Sequence, residues 1–452
     1  MLWFSMIELD LCVGLLMVIL YGLTNLRSQH LELLDVQFVC QSWPILAVMA
    51  AMAESYTGLN VEQFLAQSWG SNHCYDVLLA LITVVVLRAF KNFESLLLLM
   101  LAYVAQSYML HSCDLVTFYV CLEAQNFAFL VLCGLQPDKR SNGFAVEAAL
   151  KYLLLSAFSS GILLFAFASL YLQTGMTGLF LKSAVLPDSL QLEAFAILLA
   201  LLFKLGCAPV HLWTVYIYQS IKRPLLMYIS TAPKLSLFAF WASSWQLVWT
   251  DYTLVVFIVY TLVLGSLGAY GLASQPAVRI LFAYSTISEI GFMLLAAETA
   301  GFHSLFQHLS IYIVTQLLIW NLGDKRLFSL AAISLAGLPP LAGFFGKAWI
   351  LWHAVNMHMV GLLLIALACS VLSIVYYIRL LRLFLYQSNG QTLGTLMYDT
   401  TGFRSIGIAI NSYQVNTCYH FKGAAGLQVG FTSACVVALV FLPVFLIKPF
   451  VL

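Results

Sequence analysis

Apolar segments of about twenty residues follow one another along almost the whole chain, and this pattern restricts the fold more than any other feature. Hydrophobic residues make up 62% of the 452 residues and charged residues only 9%, whereas a soluble domain carries about 25% charged residues. A helix of about 20 residues crosses a bilayer core. The sequence therefore predicts an all-α polytopic membrane protein, and its net charge of +1 gives no indication of nucleic-acid binding.

Divided at their polar breaks, the apolar segments predict about fourteen transmembrane helices. Two connections are long, at about 54–75 and 387–427, and the sequence assigns no structure to either. Because the number of helices is even, both termini are expected on one side of the membrane. The predicted helices are 7–24, 36–53, 76–90, 93–111, 114–134, 145–172, 192–219, 225–249, 252–273, 277–297, 304–323, 326–356, 358–386 and 428–447.

The basic residues test this topology independently. Fourteen of them fall on one side of the predicted arrangement, and only Lys182 and Lys448 fall on the other. The positive-inside rule describes such an asymmetry. In a mitochondrion the basic side is the matrix, so both termini are expected in the intermembrane space. The basic side holds Arg27, Arg88, Lys91, Lys139, Arg140, Lys222, Arg223, Arg279, Lys325, Arg326, Arg379, Arg382, Arg404 and Lys422.

Four lysines lie inside apolar segments, where a helix in lipid is expected to carry no charge: Lys151, Lys204, Lys234 and Lys347. An ammonium group at the membrane centre costs roughly 2.5–3.5 kcal/mol on insertion scales. A water-filled pathway, a charge partner or a proton relay can explain such a residue. Four of them in one chain indicate a path for charge through the protein.

Prolines interrupt two predicted helices close to these lysines. Pro209 follows Lys204 by five residues in FKLGCAPVHLW, and Pro340 precedes Lys347 by seven in AGLPPLAGFFGKAWIL. Irregular backbone at membrane depth is tolerated only where it is buried in protein or lines water. Broken helices at matching places in two halves are typical of inverted-repeat transporters. Two unrelated proline kinks are the alternative interpretation.

The breaks fall in the fourth helix of each of two five-helix blocks, which predicts the domain organisation. Residues 1–92 hold the first three helices, 93–249 the first repeat, 252–386 the inverted second repeat, and 387–452 the long loop and a last helix. We expect non-helical backbone at 207–209 and 338–341, with water beside the adjoining lysines.

Six segments between about 117 and 385 carry a resemblance to a known family. In order they read CLEAQNFAFLVL, ALKYLLLSAFSSGILLFAFASLYLQTG, FKLGCAPVHLWTVYIYQS, YISTAPKLSLFAF, RILFAYSTISEIGFML and SLAGLPPLAGFFGKAWIL. Together they resemble the antiporter-like membrane subunits of respiratory complex I, the proton-pumping NADH:quinone oxidoreductase, and among these the chain 2 family. The first hundred residues and the 387–427 loop match only in hydropathy.

The resemblance implies a role for each intramembrane lysine. Glu123 corresponds to the family's glutamate on the fifth helix, which pairs with the lysine of the seventh, here Lys204. Because a carboxylate stabilises an ammonium group and a dry pocket destabilises it, this pair can load and release a proton. Lys234 corresponds to the central relay lysine and Lys347 to the terminal proton donor or acceptor. Lys151 matches a family lysine at the start of the sixth helix, where a relay role and snorkelling to the interface are equally open.

The tenth predicted helix departs from the family. A histidine often occupies the motif SxxHxG there, whereas AYSTISEIGF carries Glu289. A buried carboxylate can still carry a proton, or it can pair permanently with Lys234 or Lys347 and stay ionised. His211, at the first break, is interpreted as a packed, hydrogen-bonded side chain. Four further histidines are interpreted as mainly interfacial: His303, His308, His353 and His358.

The resemblance implies a membrane-arm subunit that takes part in proton translocation coupled to electron transfer from NADH to ubiquinone. The sequence has no dinucleotide fingerprint, haem motif or cysteine cluster. We therefore expect no cofactor and no metal in this chain, with NADH, FMN, iron–sulfur clusters and ubiquinone in partner subunits. The expected partners are other membrane-arm subunits, including antiporter-like chains, and lipids, but no nucleic acid.

Two other functions remain open, a cation/proton antiporter subunit of the same superfamily and a structural membrane subunit without a pumping role. The expected location is the mitochondrial inner membrane, because so apolar a chain without a presequence would be hard to import and is expected to be made inside the organelle. A bacterial or plastid membrane is the alternative.

Overall fold

A computed structural model describes residues 6–25, 43–44, 73–90, 92–112, 114–135, 142–175, 177, 191–244, 252–273, 278–320 and 325–386. These residues form fourteen α-helices and no β-strand, so the prediction of an all-helical chain is confirmed. In chain order the helices are α1 (Met6–Asn25), α2 (His73–Leu87), α3 (Phe93–His111), α4 (Leu115–Gly134), α5 (Asn142–Thr174), α6 (Gln191–Leu205), α7 (Leu212–Ser220), α8 (Arg223–Ser244), α9 (Tyr252–Leu272), α10 (Val278–Glu298), α11 (Phe302–Trp320), α12 (Lys325–Ala336), α13 (Ala342–Asn356) and α14 (Val360–Tyr386).

Seven of these helices are long and apolar enough to cross a bilayer, namely α3, α4, α5, α8, α9, α10 and α14. The predicted spans 36–53 and 428–447 lie outside the described residues. So do the loop 387–427 and most of the loop 54–75, whose last three residues begin α2. The membrane character of the chain is thus confirmed, while the total of fourteen spans stays a prediction.

Two predicted spans are each divided into two helices by a non-helical segment. The span 192–219 is divided into α6 and α7, and the span 326–356 into α12 and α13. The prediction of non-helical backbone at 207–209 and 338–341 is therefore confirmed. Each break contains a cis peptide bond, at Ala208–Pro209 and at Pro339–Pro340.

The two breaks share one local construction. A glycine with a left-handed backbone follows the first helix half, Gly206 with φ 81° and Gly337 with φ 78°. The next residue's N–H donates back into the last turn, from Cys207 to Leu202 O at 2.9 Å in the first break. Glycine adopts this conformation without the cost of a Cβ and closes the helix end. Each helix therefore ends at its glycine, two residues or more before the proline.

The interior of the bundle is formed chiefly by α8 and α10. In their membrane-spanning windows 94% and 89% of residues are buried, against 33–39% for α5, α9 and α14. Glycines let α10 pack closely on α9, since a Cβ on Gly265 would lie 2.8 Å from Cα of Ser288. Such small-residue contacts are a common way for helices to pack in membranes. The next residue of α10, Glu289, is only 1% exposed and lies inside the bundle.

Candidate functional site

Three of the four intramembrane lysines are buried in the interior, and each has a different partner. Lys204, Lys234 and Lys347 are only 8%, 7% and 5% exposed. A buried ammonium group is costly unless it is paired or hydrogen-bonded. The surroundings of each lysine therefore indicate what it can do.

Lys204 lies against the carboxylate of Glu123, as the sequence predicts. Its Nζ is 3.8 Å from Glu123 Oε1, and no hydrogen-bond partner for Nζ is present among the described residues. The same oxygen is also held by Asn126, whose Nδ2 donates to Oε1 at 3.1 Å, and Tyr152 Oη in turn donates to Asn126 Oδ1 at 3.0 Å. The carboxylate is thus fixed, while the ammonium group is attracted but not locked.

The break after α6 contributes to the same site. Lys204 stands in the last turn of α6, one residue before the helix ends. The carbonyls at a helix C-terminus carry partial negative charge and favour a cation. Both the carboxylate of Glu123 and the helix end therefore stabilise the ammonium form of Lys204.

Lys204 and Lys234 both line one cavity, whose walls are mainly apolar with several polar side chains. Its volume is about 30 Å³, taken as the space that water centres can occupy, and a buried water needs roughly 10–15 Å³ of such space. The cavity therefore has room for about two waters. Besides the two lysines, its polar lining includes Asn126, Thr214, Tyr218 and Thr286.

Lys234 is held by a phenol from another helix. Its Nζ donates to Tyr312 Oη at 2.7 Å and lies 4.8 Å from the centre of the same ring. Tyr312 Oη in turn donates to the backbone oxygen of Ser230 at 3.2 Å. Lys234 belongs to α8 and Tyr312 to α11, so this contact joins two helices in the interior.

Lys347 and Glu289 form a buried ion pair. Lys347 Nζ lies 2.9 Å from Glu289 Oε1, and both side chains are almost wholly buried. Lys347 Nζ also donates to the backbone oxygen of Leu335 at 2.8 Å. That carbonyl belongs to the last turn of α12, where the break leaves it without a helical partner. The prediction that Glu289 faces Lys234 or Lys347 thus agrees with the geometry, with Lys347 as the partner.

His308 belongs to the same cluster, and the interpretation of this residue as interfacial is wrong. Its Nε2 lies 3.0 Å from Glu289 Oε2, and the residue is only 3% exposed. The error arises because hydropathy does not tell which face of α11 turns inward. Glu289 is therefore shared between a lysine of α13 and an imidazole of α11.

Lys151 is not brought to the other lysines. Its side chain is 40% exposed and pairs with Glu147 one turn earlier on α5, at 2.6 Å. The ammonium group also lies 4.1 Å from the centre of the Tyr216 ring. His211 is buried and packed, as predicted, with its ring meeting that of Tyr284 edge-on at 5.8 Å between centres. Its Nδ1, however, has no hydrogen-bond partner among the described residues.

The partners that α11 supplies are not evident from the sequence alone. His308 and Tyr312 are four residues apart, so they lie on one face of that helix. That spacing was the available signal, but other polar residues of α11, such as Gln307 and Gln316, do not make it distinctive.

A family model described as the transmembrane region of the NADH:quinone oxidoreductase/Mrp antiporter proteins matches residues 112–322 and 325–373. Among curated relatives, NADH-ubiquinone oxidoreductase chain 2 of Chlamydomonas reinhardtii is 51% identical over 99% of this chain and all of its own length. NADH-quinone oxidoreductase subunit N of Hirschia baltica is 30% identical over 64% of this chain and 67% of its own.

A solved structure has the same fold. The match is to a chain of respiratory complex I from Thermus thermophilus, solved with bound aureothin, with a TM-score of 0.78. It covers 98% of this chain and 97% of that one at 23% identity. Family model, relatives and fold agree, and this chain belongs to the NADH:quinone oxidoreductase/Mrp antiporter family of transmembrane proteins, in its NADH-ubiquinone oxidoreductase chain 2 branch.

Proposed function

We propose that this chain is a membrane-arm subunit of the NADH:ubiquinone oxidoreductase and takes part in proton translocation through a buried relay of glutamates and lysines. The carrying observation is that three buried ammonium groups each meet a proton-exchanging or charged partner from another helix. A structural subunit has no need of such costly groups. Membership of the chain 2 branch favours this function over the alternatives.

The relay begins at the Glu123–Lys204 pair. Lys204 keeps its proton while the carboxylate is near, and it releases the proton when the attraction weakens. Waters in the cavity carry the proton between Lys204 and Lys234. The charge of Glu289 also acts on Lys234, so the arrival of a proton at Lys234 affects the Glu289–Lys347 pair.

The two broken helices support two inverted five-helix repeats, at 93–249 and 252–386. In both breaks a glycine is followed three residues later by a proline, at Gly206 with Pro209 and at Gly337 with Pro340. Repeats with breaks beside the ion site are a common transporter architecture. The half-helix ends place partial negative charge beside Lys204 and Lys347.

The surroundings of the chain follow from the proposed function. It lies in the mitochondrial inner membrane with both termini in the intermembrane space, a placement supported by the distribution of basic residues and by the relative from Chlamydomonas. NADH, FMN, iron–sulfur clusters and ubiquinone belong to partner subunits. Neighbouring antiporter-like chains and lipids cover the outer helices, on which many large apolar side chains such as Leu154 and Phe158 are exposed.

Substituting the central lysine in the assembled complex tests the proposal. Lys234→Ala is expected to reduce proton pumping and coupled NADH:ubiquinone turnover strongly, while NADH oxidation by an artificial acceptor continues. Lys222→Ala, just before α8 and outside the predicted spans, is the matched control and is expected to have little effect. Unchanged pumping in an assembled Lys234→Ala complex would contradict the relay. Transport driven by a sodium or potassium gradient without NADH would favour the antiporter alternative.

A further inference from the structure

We propose that α11 bridges Lys234 and the Glu289–Lys347 pair, with the Tyr312 hydroxyl and the His308 imidazole as proton-carrying groups. The inference rests on the proposed function and deepens it by naming the connection between two of its sites. Tyr312 contacts Lys234 on α8 at 2.7 Å, and His308 contacts Glu289 on α10 at 3.0 Å. Neither residue was singled out as a relay group from the sequence.

Position on the helix places the two groups next to each other. His308 and Tyr312 are separated by one helical turn and therefore lie on one face of α11. Both are buried, at 3% and 1% exposure. The carboxylate of Glu289 lies within electrostatic range of Tyr312 as well as of Lys234. All four groups thus lie in one buried region of the bundle.

Tyr312 has the chemistry that the first step needs. A phenol hydroxyl accepts one proton while donating another. Its oxygen accepts a hydrogen bond from Lys234, and its hydrogen points to Ser230 O. In the proposed step an N–H bond of Lys234 breaks and an O–H bond forms on Tyr312. In the same event the original phenol O–H bond, turned away from Ser230, breaks and its proton passes to the free Nδ1 of His308, so the phenol ends neutral as it began. The imidazole then gives its Nε2 proton to the carboxylate of Glu289.

His308 has the chemistry for the second step, because an imidazole can take a proton at one nitrogen and release it at the other. Nε2 is engaged with Glu289, whereas Nδ1 is buried and has no hydrogen-bond partner among the described residues. The residue beside Nδ1 is Gly346, where a Cβ would lie only 2.9 Å from that nitrogen. The glycine therefore keeps space open at the free nitrogen.

This arrangement also accounts for the departure at position 289. The family often carries the imidazole on the tenth helix, where this chain has a carboxylate. Here α11 supplies an imidazole in direct contact with that carboxylate. The site thus retains an imidazole and gains an acid that holds Lys347.

The first test uses Tyr312→Phe, which keeps the ring and removes the hydroxyl. The control is Tyr228→Phe, because Tyr228 is equally buried and its hydroxyl donates to Gln106 Oε1 at 2.7 Å, away from the lysines. In the assembled complex, Tyr312→Phe is expected to slow coupled turnover at least about tenfold, as for loss of a positioned proton-transfer group. The solvent deuterium isotope effect should rise with it, since proton transfer becomes limiting. Tyr228→Phe should change neither quantity.

The second test uses His308→Gln, which can still donate to Glu289 but cannot pass a proton, with His303→Gln on the same helix as control. Slowed turnover with a raised isotope effect is expected for His308→Gln alone. Glu289→Gln is measured in parallel. If it slows turnover while Tyr312→Phe and His308→Gln behave as the unaltered complex, the bridge is refuted and the proposed function stands. If Glu289→Gln is also silent, the proposed function fails as well.

Discussion

Glu123→Gln is the most direct test of the relay, because it removes one charge and almost nothing else. Glutamine has the shape of glutamate, and its amide oxygen can still accept the hydrogen bond from Asn126 that now reaches Glu123 Oε1 at 3.1 Å. The Asn126–Tyr152 contact is also preserved. Any effect on Lys204 is therefore electrostatic.

The size of the effect follows from the distance. At 3.8 Å between Nζ and Oε1, two unit charges attract by about 4 kcal/mol at an effective dielectric constant of about 20. Since about 1.4 kcal/mol corresponds to a factor of ten, the change lowers the proton affinity of Lys204 by up to about a thousandfold. The break at the end of α6 still stabilises the cation, so the observed loss will be smaller than this limit.

The assay compares coupled NADH:ubiquinone turnover and proton pumping in vesicles over a range of pH. Glu123→Gln is expected to lower both at neutral pH by at least about tenfold. Activity should partly recover at lower pH, because a higher proton activity offsets the lost attraction. Glu193→Gln is the control, since this buried carboxylate on α6 is hydrogen-bonded by Gln173 at 2.9 Å. The reasoning is refuted if Glu123→Gln leaves both the rate and its pH profile unchanged.

Three further predictions follow from the other contacts. Glu289→His is expected to slow coupled turnover, although the family often has histidine there, because Lys347 would lose its carboxylate and face two imidazoles. The same turnover assay measures this, and normal rates would speak against a required Glu289–Lys347 pair. Gly343→Ala should destabilise the junction of α12 and α13 by about 1–3 kcal/mol, as overpacking does, because the new Cβ would meet the Ser334 backbone carbonyl. Thermal unfolding of the complex measures this loss of stability. Gly361→Ala is the neutral control, because no atom would lie within 4 Å of its new Cβ. Lys151→Gln should leave pumping nearly unchanged, because that side chain is 40% exposed and paired within its own helix; a strong loss would favour its relay role over snorkelling.

Local sequence signals predicted the helices well. The span 93–111 matches α3 at both ends, and the span 114–134 differs from α4 by one residue. Both segments are rich in apolar residues, so their hydropathy defines them despite the polar residues that they contain. The helix breaks were also predictable, because proline removes a backbone donor wherever the rest of the fold lies. The residue at which each break begins, Gly206 or Gly337, is set by the left-handed, helix-capping conformation of that glycine and not by the proline.

The site was only partly predictable, because contacts across the bundle depend on which face of each helix turns inward. The Glu123–Lys204 pair followed from the resemblance to the family. The contacts of Tyr312 and His308 did not, since α11 carries polar residues on several sides. The face that meets α8, α10 and α13 becomes evident only when these helices pack around it. Hydropathy measures how apolar a segment is and carries no direction in a helix that is buried on nearly every side.

The three buried lysines differ in how firmly they are held, and this difference gives the relay an order. Lys234 and Lys347 each donate a short hydrogen bond, at 2.7 and 2.8 Å. Lys204 has only the carboxylate at 3.8 Å, with no hydrogen-bond partner among the described residues. Moving an ammonium group from a hydrogen-bonded position costs more than moving one held by attraction alone. A small displacement of α4 against α6 therefore changes the charge of Lys204 first, and the two inner lysines respond through the cavity and through α11.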